Sequence, residues 1–192
     1  MFTDGSWPLD PLRTLVHLHA SVLGIGADCL VDVRSGTATV ADGGRTGTVT
    51  AEIDLTTFRS GVRRRDDHVK SADFLDVARH PLATFTASWT GGLPTRLDGE
   101  LAVHGVTAPV TLQVELVPDG ADGIAFRATT QVSRRAFGVT RTRYVLADGV
   151  DVVIEGAARH ESVAVPDGVY GDAIERTREE PSRDRSGGRG GS

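Results

Sequence analysis

A single cysteine, Cys29, stands in this chain of 192 residues. An intrachain disulfide therefore cannot form, and a cysteine-based zinc cluster cannot be built. Aromatic residues are scarce, at 5%. Long apolar runs are missing as well: none approaches the roughly 18 residues of a membrane span. Positive charge is not in excess. The formal net charge is -5, which argues against a general nucleic-acid binder, since such proteins carry a basic surplus. The opening Met1-Phe2-Thr3-Asp4-Gly5 has neither a basic n-region nor an apolar h-region. The expectation from these absences is a soluble, cytoplasmic protein with no nucleic-acid partner, no transmembrane segment, no metal and no cofactor.

What is present points to β structure. Val and Thr recur throughout, and 23 glycines punctuate the chain. Apolar and polar residues alternate with period two in one segment after another. Val49, Ala51, Ile53 and Leu55 alternate with Thr48, Thr50, Glu52 and Asp54. Phe85, Ala87 and Trp89 alternate with Thr84, Thr86 and Ser88. Leu97, Leu101 and Val103 form one face of the next segment, and Leu112, Val114 and Leu116 that of another. Ile124, Phe126, Ala128 and Val132 share a face, as do Val150, Val152 and Ile154. Two less regular segments, 13–22 and 29–40, supply Val16, Leu18, Val31 and Val33. About eight strands with one wet and one dry face predict an antiparallel sheet. Closing that sheet into a barrel removes its edges.

Two stretches break the pattern. Arg65 to Val77 is too charged for a strand and is expected to form one or two helical turns, with Ser71 or Asp73 as N-cap and Phe74 and Leu75 as anchors on the barrel. His80-Pro81 stops it. From about Val165 onward apolar residues thin out, and a mixed-charge run leads into Ser186-Gly187-Gly188-Arg189-Gly190-Gly191-Ser192. Residues 1–165 are expected to form the domain and 166–192 a disordered, charged, Gly/Arg-rich tail. That tail is either a passive solubiliser or a partner-binding arm.

Several motifs, in order along 7–160, carry a family resemblance. They are Trp7-Pro8-Leu9-Asp10-Pro11, Thr57-Phe58-Arg59-Ser60-Gly61, and the run Arg65-Asp66-Asp67-His68-Val69-Lys70-Ser71-Ala72-Asp73-Phe74. His80-Pro81 with Thr84-Phe85 follows, then Gly99 to Val110 with His104-Gly105-Val106-Thr107, and lastly Arg134-Arg135-Ala136-Phe137-Gly138. Taken together they resemble the YceI-like proteins. Ala136 and Ala108 stand where that family often has an acidic and a basic residue. The resemblance implies an all-β fold: an eight-stranded antiparallel, lipocalin-like barrel with one short helical segment. It also implies non-catalytic binding, transport or storage of a long-chain isoprenoid, a quinone or another fatty-chain ligand. Related barrels often pair, so a homodimer is among the expectations.

On this reading the ligand wall comprises Val16, Leu18, Val31, Val33, Val49, Ile53, Phe74, Phe85, Trp89, Leu101, Val103, Leu112, Val114, Phe126, Arg134 and Phe137. The low aromatic content points the same way, because Val, Ala and Leu leave room inside a barrel of this size. Arg134 is either a partner for a polar lipid head or part of a salt bridge closing the barrel. His17 and His19, two apart in one strand, form either two of the three ligands a metal site needs or a solvated surface pair. Arg65, Asp66 and His68 form either an acid–base cluster or a structural loop in which the first two cap backbone groups. His104 and Thr107 are expected to bond the turn around Gly105, and Cys29 to be a small core residue. The alternatives to a lipid binder are an isomerase- or cyclase-like enzyme acting on an apolar substrate, and a scaffold whose tail binds a partner.

Overall fold

The computed structural model describes residues 3–22, 24–140 and 146–161. Nine strands lie among them: β1 (Gly5–Pro8), β2 (Leu15–Val22), β3 (Ile25–Ala41), β4 (Thr46–Arg59), β5 (Leu82–Thr90), β6 (Arg96–Val103), β7 (Val106–Pro118), β8 (Gly123–Ser133) and β9 (Leu146–Arg159). One helix, α1 (Arg63–Lys70), connects β4 to β5. The sheet order is β1-β3-β2-β9-β8-β7-β6-β5-β4, and β3 also pairs with β4, which closes the ring.

β1 and β2 together fill one position in the wall. β2 pairs with the first half of β3, from Val22↔Ile25 to Leu15↔Asp32, and β1 pairs with the second half, from Pro8↔Thr37 to Gly5↔Val40. Both also face β9, β2 along its length and β1 through the Leu9↔Ala158 bridge that follows it. The interruption is a local turn. Asp10 Oδ1 accepts from Leu12 N at 3.0 Å, and the Asp10 carbonyl accepts from Arg13 N at 3.1 Å and Thr14 Oγ1 at 2.7 Å. An aspartate that bonds the backbone two residues on is the usual device for such a turn. The result is a closed, eight-stranded antiparallel barrel, and the eight segments expected from alternation are β2 to β9. The fragment β1, four residues long, is too short to show a period.

The alternation fails in β3, where the inward face passes from Val33 to Ala38 across a register shift, and in β4. Leu55 and Phe58 are both buried although three residues apart, because the β3–β4 register shifts between Leu30/Arg59 and Asp32/Asp54. Thr57 Oγ1 holds the irregularity: it accepts from Asp32 N at 2.9 Å and donates to the Asp54 carbonyl at 2.7 Å. Extra residues of this kind bend a strand and re-aim its side chains. Here they turn Phe58 inward beneath α1.

The helix differs from expectation. It ends at Ser71, whose N–H and hydroxyl both donate to the His68 carbonyl, at 3.2 Å and 2.7 Å. Ser71 is therefore a C-terminal residue, and neither it nor Asp73 starts a helix. The residue at the start is Val62, which offers no side-chain cap. The segment 71–77 is a series of turns instead, with Phe74 N donating to the Ser71 carbonyl and Leu75 N to that of Val69.

The expected tail, 166–192, lies outside the described residues, and so does the end of the domain from 162 to 165. Among the described residues no helix is long and apolar enough to cross a membrane.

Candidate functional site

The inward faces of the strands do not meet. They enclose a cavity of about 740 Å³, inside the roughly 300–1,000 Å³ range of small-molecule sites. The sixteen residues named from the sequence all line it, Phe74 from the turns after α1 and Phe137 from a short turn after β8 among them. On β3 the lining runs from Ala27 to Val40, roughly 40 Å of chain at about 3.3 Å per residue. The cavity therefore follows the barrel lengthwise.

The aromatic rings are placed so that the lumen stays open. Trp89 pairs across β4–β5 with Gly47, and Phe126 across β8–β9 with Gly156. A Cβ on Gly156 would lie 2.5 Å from the Phe126 ring, and one on Gly47 would overlap the Trp89 indole. Each ring thus occupies wall space that a larger residue opposite it would fill. Trp89 is further tied at 3.3 Å from its Nε1 to the Gly44 carbonyl.

The two ends of the lumen differ. At one end Trp7, Val40 and Ala158 form a small buried cluster against which Trp89 and Ile124 pack. The other end is bounded by α1, the β2–β3 turn and residues 134–139 after β8. All the arginines that line the cavity among the described residues, Arg64, Arg65 and Arg134, gather there, with His68 beside them. No aspartate or glutamate lines the cavity among the described residues. The remaining polar lining is Cys29, Thr14 and Thr130. Thr130 sits on the dry face of β8, where the alternation alone calls for an apolar residue.

Arg134 is 8% exposed. Its Nη1 donates to the Val139 carbonyl at 2.6 Å and its Nε to that of Ala147 at 3.2 Å. It therefore ties the β8–β9 connection together while its side chain borders the lumen. The same corner is held by Asp148, which accepts from Ser133 Oγ at 2.7 Å and Arg135 N at 3.1 Å. Those hydrogen bonds, Ser133 first, hold its carboxyl below the ordinary carboxylate range.

The Arg65-Asp66-His68 group is divided by the helix. Asp66 Oδ1 accepts from Ser60 N at 2.9 Å and Ser60 Oγ at 2.5 Å, so it caps the loop before α1. Arg65 and His68 face the lumen instead. The Cys29 thiol is buried in the wall; burial pushes its pKa up, with the positive charge of Arg65 as a smaller opposing effect. His19 bonds Asp28 at 2.7 Å, and this bond raises its pKa. Neither His17 nor His19 lines the cavity. His104 departs from expectation: its Nδ1 is buried without a hydrogen-bond partner among the described residues, and its ring stands edge-on to His80 with centroids 5.4 Å apart. It has a positive φ of 53°, and Gly105 beside it one of 75°.

Two kinds stand out among the lining residues that the sequence reading missed. Arg64, Leu93 and Pro94 lie outside any alternating segment, and Thr14 and Thr130 are polar residues on an inner face. Period-two reasoning finds neither kind.

A closed antiparallel barrel around an apolar lumen, cationic at one end, is the class of protein that fold and site define. The family model of the YceI-like domain matches residues 7–158, and the chain belongs to that family. It is similar to Protein YceI of Escherichia coli O157:H7, 33% identical over 113 residues that cover 55% of this chain and 59% of that protein. A UPF0312 protein of Azotobacter vinelandii is also 33% identical over 113 residues, covering 55% and 56%. The chain thus spans less than two thirds of the length of these relatives. Among solved structures, Burkholderia cenocepacia BcnA has a TM-score of 0.67 at 20% identity, covering 78% of this chain and 98% of that one. A polyisoprenoid binding domain from Saccharophagus degradans, implicated in plant cell wall breakdown, has a TM-score of 0.66 at 13% identity, covering 81% and 98%. At these identities the likeness is one of fold.

Proposed function

We propose that the barrel binds a long-chain isoprenoid or another amphiphilic lipid in its lumen, without chemical change, and carries or stores it. The observation behind this reading is the lumen itself: long, apolar along the wall, with its cationic groups at one end. Burying an apolar chain there is worth about 0.8 kcal/mol per methylene, so the wall needs no special residues to hold a tail. The cationic end suits a neutral or anionic polar head, because arginine donates well to oxygen acceptors and, among the described residues, no lining carboxylate competes for it.

Chemistry on the ligand finds less support. The pairs that acid–base work would use are divided: Asp66 is turned to Ser60 while His68 faces the lumen, and Arg134 bonds backbone carbonyls. That the Saccharophagus degradans domain of the same fold is a polyisoprenoid binding domain agrees with the proposal.

Organic extraction of the purified protein followed by mass spectrometry tests it. A co-purifying long-chain lipid, or saturable uptake of an added isoprenoid, is expected. A protein that yields no lipid and takes up no added isoprenoid overturns the reading.

A further inference from the structure

We infer that the α1 end of the barrel is a docking surface for an anionic lipid bilayer, positioned so that the mouth of the lumen meets the membrane. The inference rests on the lipid-binding reading above and adds where the ligand is exchanged.

Three observations carry it. First, two residues are both lumen-lining and exposed at this end, Val62 and Arg64. They stand in the mouth, one apolar and one cationic. Second, Ile25 continues the inward face of Ala27 and Cys29 past the end of the wall, and it is 72% exposed at the tip of the β2–β3 hairpin. Apolar side chains displayed beside arginines are the pattern of an interfacial segment, in which the aliphatic groups enter the headgroup boundary and the cations meet anionic lipid. Third, α1 opens against the local rules of helix stability. Arg63, Arg64 and Arg65 precede Asp66 in its first turn, where the helix macrodipole disfavours positive charge, and Val62 offers no side-chain cap. Local rules are broken in this way where function requires it.

The acidic groups at this end are Asp66 and Asp67 on α1, Asp73 after it, and Asp28 on the β2–β3 hairpin, which bonds His19. Asp66 is turned to Ser60, and Asp67 faces Arg63 only at 4.0 Å, so Arg64 is not offset by either. The opposite end is acidic, with Asp4, Asp42, Asp122 and Glu161 exposed on its loops against Arg45 and Arg159. Among the described residues the arginines of the mouth are thus a local cationic patch opposite an acidic end, an arrangement that favours one orientation at a negative surface. A bilayer fits better than a protein partner because the patch surrounds the opening of an apolar channel, and a poorly soluble lipid must come from a membrane.

Flotation of the purified full chain with vesicles tests this, using phosphatidylcholine with and without phosphatidylglycerol. Binding is expected only when phosphatidylglycerol is present, weakening as salt rises. Arg63→Ala with Arg64→Ala should lower partitioning roughly 30-fold, at about a factor of five per cationic side chain. Ile25→Ser should lower it less, and Arg45→Ala at the other end should leave it unchanged. Circular dichroism melts confirm that each variant is folded. Equal binding to both vesicle types, no binding at low ionic strength, an unaltered double variant, or selective capture of a protein by this face without vesicle binding overturns the inference. Uptake of a solution-delivered fatty-acyl fluorophore reports on the lumen separately. Uptake without vesicle docking removes only the docking surface, and docking without uptake removes only the lumen reading.

Discussion

Trp89 and Gly47 face each other across β4 and β5, and the indole occupies the space that a side chain at position 47 would need. The glycine is thus part of the seat of the ring. Gly47→Val should destabilise the barrel by about 1–3 kcal/mol through overpacking. It should also move the indole, which a shift in tryptophan emission would report beside the urea midpoint. An unchanged midpoint and unchanged emission would show that the wall relaxes freely at this point.

Ala128 is buried on β8 and borders the lumen. Ala128→Trp should fill part of the channel with side chain. The expected result is a folded protein that loses uptake of a long-chain fluorophore, while Glu115→Ala, on an exposed outer position of β7, binds normally. Both are read by fluorescence titration. Equal uptake by the two variants would place the binding site outside the barrel.

Removing the Arg134 guanidinium leaves the Val139 and Ala147 carbonyls without this donor. A buried acceptor left unsatisfied costs about 1–3 kcal/mol. Arg134→Met should therefore lower stability by an amount of that order in urea titration. Arg134→Lys should recover only part of it, since an ammonium lacks the planar fork that reaches two carbonyls.

Two exposed groups give opposite pH signatures. Asp148 is held below the ordinary carboxylate range by Ser133 and Arg135. Its contribution is present above the unfolded-state value and is lost as pH falls through the folded one. His19 is raised by Asp28, so its contribution is complete below the unfolded-state value and is lost as pH rises through the folded one. NMR titration should place the Asp148 midpoint lower in the folded protein than in urea, and the His19 midpoint higher. Asp28→Asn should return His19 toward its ordinary value.

The strands were legible because each buries one face, so an inner residue such as Val114 is flanked by the outward Gln113 and Glu115. The lumen wall came with them, since the inward face of a hollow barrel is what lines its lumen. The β4 irregularity was not legible: Leu55-Thr56-Thr57-Phe58 looks like an ordinary strand until Thr57 is seen to take the Asp32 N–H. The helix was misplaced for a related reason. Ser71 and Asp73 are good N-cap residues, whereas the true start has valine before three arginines, which local propensity disfavours. Of the residues at that mouth, Arg65, His68 and Arg134 were legible, and Arg64 was not, because it belongs to that irregular start.

The pairing of β3 with β4 leaves the wall without a seam. A long molecule inside can leave only lengthwise, sliding past whatever stands at the opening. Each methylene drawn out gives up about 0.8 kcal/mol, whereas insertion begins with the first one alone. Residence time should therefore lengthen steeply with tail length while the rate of capture changes little. A barrel that takes up such a chain would sort it by how long it stays, and a short chain of the same chemistry would pass through almost unheld.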